Sequence, residues 1–220
     1  MDTFSTRTLV DEPVKTGTTI MAACYDGGVI LAADSRTSSG TYVANKVQEK
    51  LSCLTENVYV CRSGSAADTQ AVASYVQHYL NQHTIDIDGQ CTVKTAANLV
   101  MQVAYNNKDN LSMGLIVGGW DKYDGGAVWA VPMGGSLLKV PYAIGGSGST
   151  YISGYCDAYF RENMSREECK EFVKGAVAHA MARDGSSGGT IRMVIVDAHG
   201  AEKLYFQGDQ IPRCYDEIGN

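Results

Sequence analysis

Residues 16–20 read Thr-Gly-Thr-Thr-Ile, and the chain then runs straight into the apolar stretch IMAACYDGGVILAAD. The polar residues before this border show no periodicity. Scission of the Gly17–Thr18 bond would leave Thr18 carrying both a hydroxyl and a free α-amine. Such an amine titrates at about 7.7–8.0, so it accepts a proton near neutrality where an ordinary lysine does not. A threonine with its own amine as base is an activated nucleophile for acyl transfer. Gly17 has no side chain to obstruct attack by the Thr18 hydroxyl on the preceding carbonyl. On their own, these five residues also read as the plain beginning of a strand.

Further along lie Asp34 in AADSRT, Lys50 in NKVQEKL, Arg62 and Gly64 in CRSGSAADTQ, Ser147 in IGGSGS, and the run RDGSSGG from Arg183. Singly these residues have ordinary explanations: a turn aspartate, a solvated lysine, a loop hydroxyl. Together and in this order they resemble the catalytic β subunits of the proteasome core particle, which are N-terminal-nucleophile hydrolases. The resemblance runs from Thr18 to about Pro212 and rests on several separate motifs.

The resemblance implies a threonine-type endopeptidase whose nucleophile, Thr18, is freed by autocatalytic removal of residues 1–17. Asp34 and Lys50 match the family's buried acid–lysine pair, and such a lysine lowers the hydroxyl pKa and stabilises developing charge. Ser147, Asp184 and Ser187 match the group that orients the amine, and Gly64 the backbone donor of the oxyanion hole. Arg62 matches the position that sets preference at the cleaved residue, and an arginine in a partly desolvated pocket favours an acidic partner. Cleavage after acidic residues, the caspase-like type, is therefore expected; the stretch DSRTSSGTYVANK and the short pro-segment resemble the same type. Thr37, Gln48 and Ser52 match other pocket positions. Ser38 and Ala66, with Gly64, match positions whose backbone pairs with an extended substrate. The resemblance also implies other proteasome α and β subunits as partners in stacked seven-membered rings, unfolded polypeptides as substrates, no cofactor or metal, and residence in cytoplasm and nucleus. A ring subunit that assembles but never matures, and an amidase acting on a small molecule, are the alternative readings.

The elements that must position these residues are legible from hydrophobic periodicity. TTIMAACYD and VILAADS flank the turn Asp26-Gly27-Gly28, a hairpin signal; TYVANK and NVYVCRSG read as further strands. Helical spacing follows in AADTQAVASYVQHYLNQH, with Ala71, Val72, Tyr75, Val76, Tyr79 and Leu80 on one broad face. Thr92 caps a second helix with Val93, Ala96, Ala97, Val100 and Ala104 inward. Strand patterns return in MGLIVGGWD, GAVWAVPMG and SLLKVPYAIGG, then come two helices. The second opens on the capping box Ser165–Glu168 and carries a stripe of Cys169, Phe172, Val173, Ala176 and Ala180. TIRMVIVDA and EKLYFQG close the chain as strands. Hairpin-linked strands with helices in blocks predict an α+β fold, a four-layer αββα sandwich of two antiparallel sheets flanked by helices. This is also the fold of the N-terminal-nucleophile hydrolases. Residues 18–220 are expected to form one catalytic domain.

Composition narrows the alternatives. At 220 residues, with 45% hydrophobic and 19% charged positions, the chain is long and apolar enough for one full core. A net charge of −6 argues against nucleic acid or an anionic membrane surface as partner. Seven scattered cysteines without a CxxC pair suit free thiols, and His78, His83, His179 and His199 form no metal-binding spacing. Gly185-Ser186-Ser187-Gly188-Gly189 matches GxSxG as a string, but a nucleophile elbow needs a strand before it and a helix after it, the reverse of the order here. IGGSGST lacks the spacing of a phosphate-binding loop.

Overall fold

The computed structural model describes residues 17–39 and 42–214; the expected pro-segment, apart from Gly17, and the last six residues lie outside them. In chain order the elements are β1 (Ile20–Tyr25), β2 (Gly28–Asp34), β3 (Thr37–Ser39), β4 (Tyr42–Asn45), β5 (Leu51–Thr55), β6 (Val58–Gly64), α1 (Ala66–Asp86), α2 (Val93–Asn106), β7 (Met113–Asp121), β8 (Gly125–Val131), β9 (Leu138–Val140), β10 (Tyr142–Gly145), α3 (Ser149–Tyr159), α4 (Arg166–Arg183), β11 (Ile191–Asp197) and β12 (Gly200–Phe206). One five-stranded antiparallel sheet has the order β10-β1-β2-β11-β12 and the other β5-β6-β7-β8-β9, with β3-β4 as a separate ribbon.

Because both faces of each sheet are covered, the central strands are apolar on successive residues rather than on alternate ones. On β2, Ile30 and Ala32 join Phe172, Val173 and Val177 of α4, whereas Val29, Leu31 and Ala33 point into the space between the sheets. On β6, Val58 and Val60 meet Val76 and Val100 of α1 and α2, and Tyr59 and Cys61 face the other way. The result is helices α3 and α4, a sheet, a second sheet, then α1 and α2: the expected four-layer αββα sandwich. Leu31 is fully buried against Gly118 of the opposite sheet, where a β-carbon would come within 3.1 Å of it.

The β1–β2 hairpin closes through Asp26 and Gly27, with Tyr25 opposite Gly28. Gly27 takes φ +109°, a conformation in which side chains other than glycine are strained. Ser165 and Glu168 make both arms of the capping box, and Thr92 accepts from the Thr95 amide as N-cap of α2.

Three expectations need correction. SLLKVPYAIGG is two strands in different sheets, because Pro141 has no N–H for a ladder and the chain changes sheet there. LSCLT, outside the strands that the sequence pattern predicts, forms edge strand β5. On α1 the buried stripe is Thr69, Val72, Ala73, Val76 and Leu80; Ala71, Tyr75 and Tyr79 face outward, and the two tyrosine rings sit 4.6 Å apart. Their amphipathic rings satisfy apolar spacing in sequence but stand one position off the packed face.

Truncating Leu31 to alanine removes a plug between the two sheets. We expect a loss of about 2–5 kcal/mol in denaturant unfolding of the uncut chain; a change under 1 kcal/mol would show that the two sheets close over the void.

Candidate active site

The start of β1, the end of β2, the start of β5 and the loop after α4 converge at one end of the sandwich. Lys50 lies immediately before β5 and is 5% exposed; Asp34 ends β2 and is fully buried. The Lys50 ammonium donates to Asp34 Oδ1 at 2.7 Å, to the Arg36 carbonyl at 2.6 Å and to the Gly17 carbonyl at 3.0 Å, so all three of its hydrogens are engaged. Burial pulls the Lys50 pKa below its ordinary value, and the Asp34 carboxylate opposes that shift. Asp34 accepts three further bonds, from the Thr19 amide on Oδ1 and from the Arg36 and Gly188 amides on Oδ2.

Thr18 is 2% exposed, and its hydroxyl donates to the Gly17 carbonyl at 2.7 Å. That carbonyl therefore accepts from both the hydroxyl and Lys50. Gly17 runs so close to the loop after α4 that a β-carbon on it would overlap the Ser186 side chain and carbonyl. Here glycine is required by close approach rather than by dihedral angle.

The Thr18 nitrogen donates to Ser147 Oγ at 3.1 Å. Ser147 and Ser187 both donate to Asp184 Oδ2 at 2.7 Å, and Ser187 shares a 2.8 Å bond with the Thr19 hydroxyl. Asp184 is held as C-cap of α4, and its other oxygen accepts from the Ser186 amide. The chain thus binds the Thr18 nitrogen through a relay that ends on a buried carboxylate.

Thr18, Thr37, Gln48, Lys50, Arg62, Gly64 and Ala66 line one cleft. Arg62, on β6, is 6% exposed; it donates to the Glu49 carbonyl at 2.6 Å and to Thr69 Oγ1 at 3.4 Å, while its buried Nε has no partner among the described residues. Burial draws the guanidinium pKa down and Glu49 counters it. Gly64 takes φ +105°, and a β-carbon there would run into the Ser112 carbonyl. A larger, mainly apolar cleft of about 410 Å³, lined by Ile20, Ile116, Val131 and Met133 among others, meets the first at Gly64 and reaches Ser147.

One expected pocket residue, Ser52, falls outside the first cleft and sits on β5 opposite Val60. Ser38, expected to pair through its backbone with an extended substrate, is buried on β3 with its hydroxyl on the Ser186 carbonyl at 3.4 Å. Conversely, Glu49 and Thr69 line the cleft and were not singled out in the sequence. Thr69 reads there as one more helix residue, and Glu49 as one charge in a polar run, so neither carries a signal. Cys156 and Cys169 are buried in the helical layer with pKa values pushed up to about 12, which makes them poor nucleophiles.

The family model described as "Proteasome subunit" matches residues 14–196. Proteasome subunit beta type-6 of Dictyostelium discoideum is 53% identical over 207 residues, covering 94% of this chain and 97% of that protein. Probable proteasome subunit beta type-1 of Schizosaccharomyces pombe is 57% identical over 196 residues, covering 89% and 87%. Human proteasome subunit beta type-9 is 48% identical over 204 residues, covering 93% of each. With a family model spanning most of the sequence and relatives this similar over nearly their whole length, the chain belongs to the proteasome β-subunit family.

Proposed function

We propose that the chain is a threonine endopeptidase, made as a latent precursor, in which Thr18 becomes the nucleophile once the Gly17–Thr18 bond is cut. The observation that carries this reading is the Gly17 carbonyl, bonded at once by the Thr18 hydroxyl and the Lys50 ammonium. In self-cleavage the Thr18 oxygen adds to the Gly17 carbonyl carbon, and Lys50 offsets charge developing on the carbonyl oxygen. The Thr18 nitrogen leaves with a proton, so an ester replaces the amide. Water then hydrolyses the ester, giving a carboxylate on Gly17 and a free amine on Thr18.

The same groups then serve peptide hydrolysis. Ser147, backed by Asp184 and Ser187, keeps hold of the Thr18 nitrogen, now an amine able to accept a proton. Departure of Gly17 removes one of the three Lys50 acceptors, which leaves that N–H for the Thr18 oxygen. A substrate carbonyl is attacked, an acyl ester forms on Thr18, and water releases it. Gly64 borders the cleft beside Thr18, where an oxyanion donor is needed.

Cleavage after acidic residues is our reading of Arg62. Its protein acceptors are neutral, a carbonyl and a hydroxyl, and its Nε is left over in a desolvated cleft. A glutamate or aspartate side chain would supply the missing acceptor and the opposite charge. Thr37, Gln48 and Ala66 border the same cleft and are uncharged. We place the subunit in stacked seven-membered rings of α and β subunits, in cytoplasm and nucleus. Such rings would enclose Thr18 and admit only unfolded polypeptide.

Intact mass of the assembled protein tests maturation: loss of residues 1–17 with threonine first supports the enzyme, and full-length chains in mature particles would instead favour a purely structural ring subunit. Lys50→Ala is expected to block both self-cleavage and turnover, and processing at the normal rate would remove Lys50 from the mechanism. Arg62→Leu is expected to lower cleavage after glutamate by about 10- to 1000-fold and to raise cleavage after leucine. An unchanged profile with fluorogenic peptides of each type would take Arg62 out of specificity.

A further inference from the structure

Glu49 borders two clefts at once. Its backbone carbonyl accepts from Arg62 on the Thr18 side, and its side chain lines a separate outer cleft with Leu51, Tyr59, Arg192, Lys203 and Tyr205. The carboxylate is turned outward by two donors: Arg192 reaches Oε2 at 2.9 Å and the Leu51 amide reaches Oε1 at 3.2 Å. Arg192 is fixed in turn. It stands on β11 opposite Tyr205, whose ring centre is 5.3 Å from its guanidinium carbon, and its second terminal nitrogen donates to the Val47 carbonyl at 3.3 Å.

This placement has a cost for any acidic ligand of Arg62. A carboxylate one residue from Lys50, on a backbone already hydrogen-bonded to Arg62, is a competitor within the protein itself. If the Glu49 side chain swung inward, it would satisfy the guanidinium and repel an incoming glutamate. We propose that Arg192 is a positioning residue for specificity: by holding the Glu49 carboxylate in the outer cleft, it keeps Arg62 available for the substrate's acid. The inference rests on the reading of Arg62 given above. The pull of Glu49 on the Arg62 charge is consistent with their proximity. Arg192 itself lines only the outer cleft, so its effect must pass through Glu49.

The test uses assembled, matured particles and two fluorogenic peptides that differ only in glutamate or leucine at the cleaved residue. In Arg192→Ala we expect kcat/KM for the glutamyl peptide to fall about 3- to 10-fold, mainly through a higher KM, with no fall for the leucyl peptide. Arg192→Lys should recover most of the loss, because a cation suffices to hold the carboxylate. Adding Glu49→Gln to Arg192→Ala should return the glutamyl value to the wild-type level or above, since the competitor is gone. A merely structural role for Arg192 would lower both peptides together and would not be reversed by the second substitution. The inference is overturned if Arg192→Ala keeps the wild-type profile or if the double variant stays low. Wild-type particles that show no preference for the glutamyl peptide would instead overturn the reading of Arg62, and this inference with it.

Discussion

A lysine ammonium and an aspartate carboxylate, both almost wholly out of water, sit at the mouth of the sandwich, and everything near Thr18 is arranged around them. Burying two charges is expensive unless every lone pair and proton is used. Here Asp34 takes four donors and Lys50 gives all three of its hydrogens. Those partners come from the segment leading into β1, the turn after β2, and the loop after α4. Satisfying the pair therefore pins these segments to one another and fixes the height at which Gly17 and Thr18 pass over Lys50.

Two cations line the same cleft and are treated differently. Lys50 is neutralised by an adjacent carboxylate, whereas Arg62, one strand away, is met by a carbonyl and a hydroxyl. The backbone bond from the Arg62 amide to the Lys50 carbonyl, 2.9 Å, locks their relative positions. A paired cation suits chemistry that moves a proton, while an incompletely paired one suits recognition of an anion. Glu49 stands between these roles, and its side-chain direction bears on how much of the Arg62 charge a ligand meets.

The layered core explains why such a site can exist at the end of strands rather than in a deep cavity. Hydrophobic packing on both faces of each sheet buries β1, β2 and β6 along nearly their whole length. Asp34 is the last residue of β2, and Arg62 and Gly64 fall at the end of β6. Glycines at the border let backbone segments meet without side chains between them, as Gly17 does against Ser186.

Much of this was legible in the residue order. Local rules settled the β1–β2 hairpin, the caps at Thr92 and Ser165 and the α2 and α4 stripes, because each depends on neighbours within about a turn or a strand, and the order of the elements pointed to the two-sheet plan. The motif residues Asp34, Lys50, Arg62, Ser147, Asp184 and Ser187 were also visible as a set. What the residue order left open was decided by contacts between distant segments. Pro141 splits one apolar run between two sheets; Tyr75 and Tyr79 turn outward because the sheet below α1 meets Val72 and Val76; Ser52 lies off the cleft that Thr69 and Glu49 help to line. Whether a polar side chain enters the cleft depends on strand register and on which partner claims it, and neither is written in its nearest neighbours.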